Sequence, residues 1–164
     1  RMRFVRQWAN ASSAGGVRLD VGFTHAVQCF GDKDLPLWMR KRTVKMESMF
    51  KNYKYLLSIE GNDVATNLAW ILHADAVPLM PTPRIETWLL HGDLKAWTHY
   101  VPLRPDFTDL AKQLAWLEAN PTRAAEIARA GRAFVAPYGD RGRDILLAAA
   151  VLKRYLSAVS VVSS

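Results

Sequence analysis

Glu60-Gly61-Asn62-Asp63 separates an apolar run, Tyr53 to Ile59, from a segment with helical spacing, Val64 to Ala74. A glycine turn between a strand and a helix is a place where an anion can be held. The first turn of a helix leaves backbone N–H donors unpaired and carries the positive end of the helix dipole. In an open parallel sheet, ligands bind beyond the carboxyl ends of the strands, where Gly61 would stand. With the helix beginning near Asp63 to Ala65, Thr66 adds a hydroxyl, and Asn62 and Asn67 add amides. The competing reading is a plain turn in which Asp63 bonds the helix donors itself and excludes a phosphate. The spacing is neither a Walker loop nor G-x-G-x-x-G, so both readings stay open.

A second group follows the next apolar run. Arg84 and Glu86 lie just beyond Pro81 and Pro83, where they could reach the same crevice. Arg84 could pair with a phosphate and Glu86 could accept hydrogen bonds from sugar hydroxyls, unless the segment is only a Pro-rich surface turn. His99 precedes a strand-like stretch and reads first as a structural residue. His25, His73 and His91 have no spacing that suggests a metal or a serine triad. Arg40 to Lys45 is basic but has only Trp38 as a stacking neighbour, which favours a solvated face over a nucleic-acid surface.

The elements that must position these groups alternate. Met2, Phe4, Val5 and Trp8 have helical spacing within Arg1 to Ala11, and Gly15-Gly16 breaks the pattern. Val17 to Phe23 alternates as a short strand, and Gln28 to Lys51 is irregular and basic, with a helix expected in its second half. Strands are expected at Tyr53–Ile59, Ala76–Met80 and Tyr100–Leu103, helices at 64–74 and, short, at 85–90. Leu110, Leu114 and Leu117 mark a helix that Asn120-Pro121 ends; Asn120 caps the next one and Gly139 stops it. A last helix from about Asp140 to Ser157 is expected to bury Ile145, Ala149, Leu152 and Leu156. Strand–helix alternation implies an α/β domain, a parallel sheet flanked by helices, taken here as one domain over 1–164.

The chain has 164 residues and a formal charge of +7, from 22 Lys+Arg against 15 Asp+Glu. Half of it is hydrophobic, which excludes a disordered chain. A spanning helix needs ~20 apolar residues in a row, and the closest run, Ile145 to Leu152, is ended by Lys153-Arg154. The single cysteine, Cys29, can make no internal disulfide, which fits a reducing compartment. The charge favours an anionic partner: a phosphate-bearing small molecule, an acidic membrane surface or nucleic acid. Nucleic-acid binding rests on charge alone and is not expected.

The segment from Tyr53 to Trp70 resembles the central motif of glycosyltransferase family 90. That family includes bacterial lipopolysaccharide-type sugar transferases, fungal capsule-associated xylosyltransferases and protein O-glucosyltransferases. Val77-Pro78-Leu79-Met80-Pro81, Glu86-Thr87-Trp88, Trp97 to Leu103 and the D-x-x-D-L of Asp106 to Leu110 match in order and approximate spacing. The resemblance covers roughly residues 17 to 157. It implies a GT-B fold of two Rossmann-like halves, of which this stretch is similar to the C-terminal, donor-binding one. It further implies a UDP-sugar donor, a glycan or lipopolysaccharide acceptor, no metal cofactor, and a cytoplasmic enzyme with a peripheral inner-membrane contact if bacterial. The turn carrying Gly61, Asn62, Asp63, Ala65, Thr66 and Asn67 would cradle the donor diphosphate, with Arg84 and Glu86 beside it. The catalytic base is expected from an N-terminal half outside these residues.

The sequence departs from the family at that turn. Many relatives have Arg where Asn67 stands and serines where Ala65 and Thr66 stand. A lost charge-assisted bond to phosphate is worth of order 1.5–3 kcal/mol. A truncated or degenerate relative that binds without catalysing is therefore the alternative reading.

Overall fold

The computed structural model describes residues 1–23, 36–41, 43–61 and 63–159. Asn62, His25, Cys29 and the stretch 28–35 lie outside the described residues. The first helix, α1, runs over Met2–Trp8 and buries Phe4 and Val5. Gly15 and Gly16, at φ 55° and 84°, turn a two-residue hairpin of β1 (Ser13–Ala14) and β2 (Val17–Arg18). The strand expected over Val17–Phe23 is thus confined to its first two residues, and at the far end only Phe23 bridges, to Arg40. The helix expected before Lys51 is α2, Met46–Asn52.

β3 (Tyr55–Leu57), β4 (Val77–Met80) and β5 (Val101–Pro102) form a parallel sheet in the order β3-β4-β5. All four residues of β4 are buried. A proline in a central strand removes a ladder donor, yet Pro78 is tolerated here. The Val77 N–H donates to the Lys54 carbonyl on the β3 side, and β5 pairs only from Leu79 onward. The donor that Pro78 lacks would therefore face a level that β5 does not reach.

Side chains alternate across this sheet, as the period-two geometry of strands requires. Val77, Leu79 and Val101 pack with Phe4 and with Leu110, Leu114 and Leu117 of α4 (Leu110–Ala119). On the other side Met80 meets Leu68 and Leu72 of α3 (Leu68–His73), and Leu56 meets Ile71. Helix α5 (Pro121–Val135) adds Ala124, Ile127 and Ala128 to the first cluster and Val135 to the second. Gly131 lets α5 approach closely: a Cβ there would lie 2.8 Å from Leu72 Cδ2. The result is a mixed α/β architecture, a three-stranded parallel sheet flanked by helices.

Three further expectations change. Residues 85–90 are not helical: the Leu90 N–H closes a turn on the Thr87 carbonyl, and Leu90 sits at φ 54°, a left-handed conformation that no helix continues through. Asn120 precedes α5 as expected, but its side chain does not cap it; Nδ2 donates back to the Trp116 carbonyl at 2.8 Å. Helix α6 (Arg141–Ala158) forms where expected and is N-capped by Asp140, whose carboxylate accepts from Gly142 and Arg143 N–H at 2.9 and 3.2 Å. Its apolar face is not buried, however. Every residue of α6 is exposed, Ile145 at 61% and Leu152 at 57%. Helical periodicity states which side chains share a face; it does not state that anything covers that face.

Candidate functional site

Because β3, β4 and β5 are parallel, the segments after Leu57, Met80 and Pro102 all leave from one edge of the sheet. That edge gathers the loop 58–67, the loop 81–90 and Arg104. His99 precedes β5 and so stands at the opposite edge. Its Nδ1 accepts the Lys95 N–H at 3.0 Å, its ring lies 5.1 Å from Phe134, and burial lowers its pKa, aided by Lys95. These contacts give His99 the structural role expected of it.

The loop after β3 differs from the expected strand–turn–helix. Helix α3 starts at Leu68 rather than near Asp63 to Ala65, and β3 is the margin of the described sheet. The Gly61 N–H donates to the Asp63 carbonyl at 2.9 Å, and the Val64 N–H donates to the Asp63 carboxylate at 2.7 Å. Asp63 thus takes up a donor that the anion-site reading leaves open. Ala65 is buried, while Gly61, Asp63 and Thr66 are exposed. The Asn67 amide points back into the fold: Nδ2 donates to the Leu57 carbonyl at 2.9 Å, and Oδ1 accepts from Ser58 Oγ at 3.1 Å. Ser58 is 2% exposed, so these bonds satisfy buried polar groups and tie the end of β3 to the start of α3. Asn67 is a clamp within the fold.

A contact missed by the sequence reading joins the two loops. Glu60 accepts the Arg84 N–H and Arg84 Nε, both at 3.0 Å. Burial alone would raise the Glu60 pKa, but the bonds from Arg84 outweigh it and hold the carboxyl below its ordinary value. Arg84 remains largely exposed beyond this pairing. A carboxylate next to a turn glycine is the sequence signal for such a pin, though it names no partner. Glu86 is held too: it accepts the Gly92 N–H at 2.8 Å and the Thr87 N–H at 3.2 Å. These bonds, the Gly92 one first, lower its pKa. Its carboxylate closes the loop over the buried His91, whose Nδ1 lies 3.0 Å from Thr87 Oγ1.

Two further features belong to this edge. The Arg1 guanidinium lies over Gly61, where a Cβ would be 3.3 Å from its Cζ, and Arg1 Nε donates to the Ile59 carbonyl at 3.0 Å. A cavity of about 850 Å³ runs along the free margin of β3, walled among the described residues by α1, the β1–β2 hairpin, residues 49–57 and α4, and reaches this edge at Arg1, Ile59, Thr66 and Asn67. That volume lies within the range of small-molecule sites. The described residues contain no cluster of metal-ligating side chains, and none of their helices is long and apolar enough to cross a membrane.

The profile of glycosyl transferase family 90 matches residues 22–138, and thereby both loops. The chain belongs to glycosyltransferase family 90. O-glucosyltransferase LpsA of Dichelobacter nodosus is 43% identical over 105 residues, 64% of this chain and 33% of that protein. Protein O-glucosyltransferase 2 of Danio rerio is 32% identical over 85 residues, covering 52% of this chain and 17% of the fish protein. The human protein O-glucosyltransferase 3 is 29% identical over 84 residues, 51% of this chain and 16% of its own. The chain therefore spans a third or less of the length of these relatives. Within family 90, the match includes Gly61, Asp63, Ala65, Thr66, Asn67, Arg84 and Glu86, so the residues singled out from spacing lie inside the shared region.

Proposed function

We propose that this family 90 chain supplies the nucleotide-sugar side of a glycosyl transfer. The donor is a UDP-sugar and the acceptor a hydroxyl on a lipopolysaccharide or related glycan. The fold would then be one half of a GT-B enzyme, with the acceptor-activating base outside these residues. The observation that carries the reading is the Glu60–Arg84 pairing: it holds the loops after β3 and β4 together at the carboxyl edge of the sheet, inside the family match. Arg1, Arg84 and Arg104 bring cations to that edge, and the adjacent cavity has room for a nucleoside. Positive groups there would oppose the charge that develops on a departing diphosphate, the kind of stabilisation that acts in the transition state. Asn67 takes no direct part; it keeps the loop in place.

Commitment of Asn67 to the fold and of Arg84 to Glu60 also favours the second reading, a relative that binds without turnover. Calorimetric titration with UDP, UDP-glucose and uridine tests the first. Binding of UDP and UDP-glucose, much stronger than of uridine, is the expected result. Equal heats for uridine and UDP would remove the diphosphate from the account, and no heat at millimolar ligand would reject the donor site altogether.

A further inference from the structure

The three arginines at the carboxyl edge differ in their partners. Arg84 Nε meets the Glu60 carboxylate at 3.0 Å, so its charge is already matched. Arg104 acts on Asp106, whose pKa is lowered by bonds from Thr108 and, more weakly, by this arginine. Arg1 has no carboxylate partner among the described residues. Its Nε donates to the Ile59 carbonyl at 3.0 Å, a neutral acceptor that leaves the charge and both Nη groups uncommitted. The guanidinium lies against Gly61, where an added Cβ would stand 3.3 Å from Cζ and 3.5 Å from Nη1. Its placement is built into the fold. The Arg1 carbonyl accepts the Val5 N–H at 3.0 Å and opens α1, which Phe4 and Val5 anchor at 2% and 6% exposure. The Phe4 ring meets Phe107 edge to face, with centroids 5.0 Å and planes 88° apart. Phe107 sits in the loop after β5 at φ 59°, a left-handed conformation unfavourable for a bulky residue. The chain carries that strain where it docks α1, and with it Arg1, against this edge.

We propose that Arg1 is the residue that grips the donor diphosphate, an assignment that rests on the nucleotide-sugar reading above. A guanidinium presents its N–H donors as a planar fork that matches two phosphate oxygens. With Nε engaged on Ile59, the two Nη groups form that fork. A diphosphate that meets Arg1 breaks no ion pair, whereas at Arg84 it competes with the Glu60 carboxylate. Asn67 carries no charge and turns its amide inward to Leu57 and Ser58, so the cation at this turn comes from α1. Arg1 and the exposed Thr66 line the same end of the cavity, which leaves the fork beside the open side of the loop.

Calorimetric titration of the whole chain with UDP and with uridine, in wild type, Arg1→Ala, Arg1→Gln and Arg6→Ala, tests this. Arg1→Ala should weaken UDP by at least about tenfold. Uridine affinity and circular dichroism should stay unchanged, because Arg1 is exposed. Arg1→Gln removes the charge but keeps an amide donor for the Ile59 carbonyl, and should lose UDP to the same degree. Arg6 is exposed about 7.5 Å further along α1. Arg6→Ala makes the same change in net charge and should hold UDP within about twofold, since salt screens a charge that makes no contact. Unchanged UDP affinity in Arg1→Ala or Arg1→Gln, or an equal loss in Arg6→Ala, overturns the assignment and leaves the donor site standing. Equal losses for UDP and uridine also overturn it, and make Arg1 a strap on Ile59. A wild-type chain that binds neither ligand rejects the nucleotide-sugar reading itself, and the assignment with it.

Discussion

Replacing Asn67 separates a residue that holds the fold from one that holds a ligand. Asn67→Ala removes the bond from Nδ2 to the Leu57 carbonyl and the bond from Ser58 Oγ to Oδ1. The first is worth about 1 kcal/mol net, and losing the second costs about 1–3 kcal/mol because it leaves a buried polar group without a partner. Ser58 is 2% exposed and its hydroxyl loses this acceptor, so the expected loss is about 2–4 kcal/mol. A domain of this size loses about 2–4 °C in Tm per kcal/mol, which gives a fall of about 4–16 °C. Urea unfolding with thermal denaturation reads both. Asn67→Asp keeps an acceptor for Ser58 but sets a carboxylate against the Leu57 carbonyl, so it should be at least as harmful near neutral pH. Affinity for UDP, measured where the variant is fully folded, should change less than threefold. An Asn67→Ala variant of unchanged stability whose UDP affinity collapses would refute the clamp.

Glu60→Gln should loosen the pairing with Arg84 at little cost, under about 1 kcal/mol, because Arg84 is mostly exposed. The Glu60 pKa is lower in the folded chain than its ordinary value of 4.5, so its stabilisation is complete above that pH and is lost as pH falls through the folded pKa. The stability difference between wild type and Glu60→Gln, from urea midpoints, should therefore shrink on acidification; a difference that grows would contradict the pairing. Gly15→Ala sets a Cβ 2.1 Å from the Ala111 carbonyl oxygen at a positive φ, so it should destabilise by at least about 2 kcal/mol through displacement of the hairpin from α4. A Gly15→Ala chain with an unchanged urea midpoint would show that the hairpin does not rest on α4.

Sequence pattern located the core better than the site. Leu110, Leu114 and Leu117 recur at one face of a helix and are all buried, and the compact run ending at Met80 is the central strand. The first follows from helical periodicity and the second from an unbroken apolar run ended by Pro81 and Pro83, both local properties. The start of α3 is not legible, because the Gly61 and Val64 N–H donors are taken by Asp63 in a local turn whose closure depends on loop geometry. Asn67, Glu60 and Glu86 carry polar groups suited to a ligand, and each is instead bonded within the fold. Residue type at a given spacing predicts capacity for hydrogen bonding; the partner is fixed by tertiary approach, such as the 24 positions separating Glu60 from Arg84. The same limit applies to α6: the helix forms where periodicity places it, but Ile145, Leu152 and Leu156, expected to be buried, are exposed.

Amide chemical-shift mapping during titration with UDP tests the donor-site account most directly. The account predicts shifts confined to Gly61–Asn67, Arg84 to Glu86 and the cavity wall at Trp70, with His99 at the opposite edge unmoved. Shifts centred on His99, or none anywhere at millimolar UDP, would contradict it.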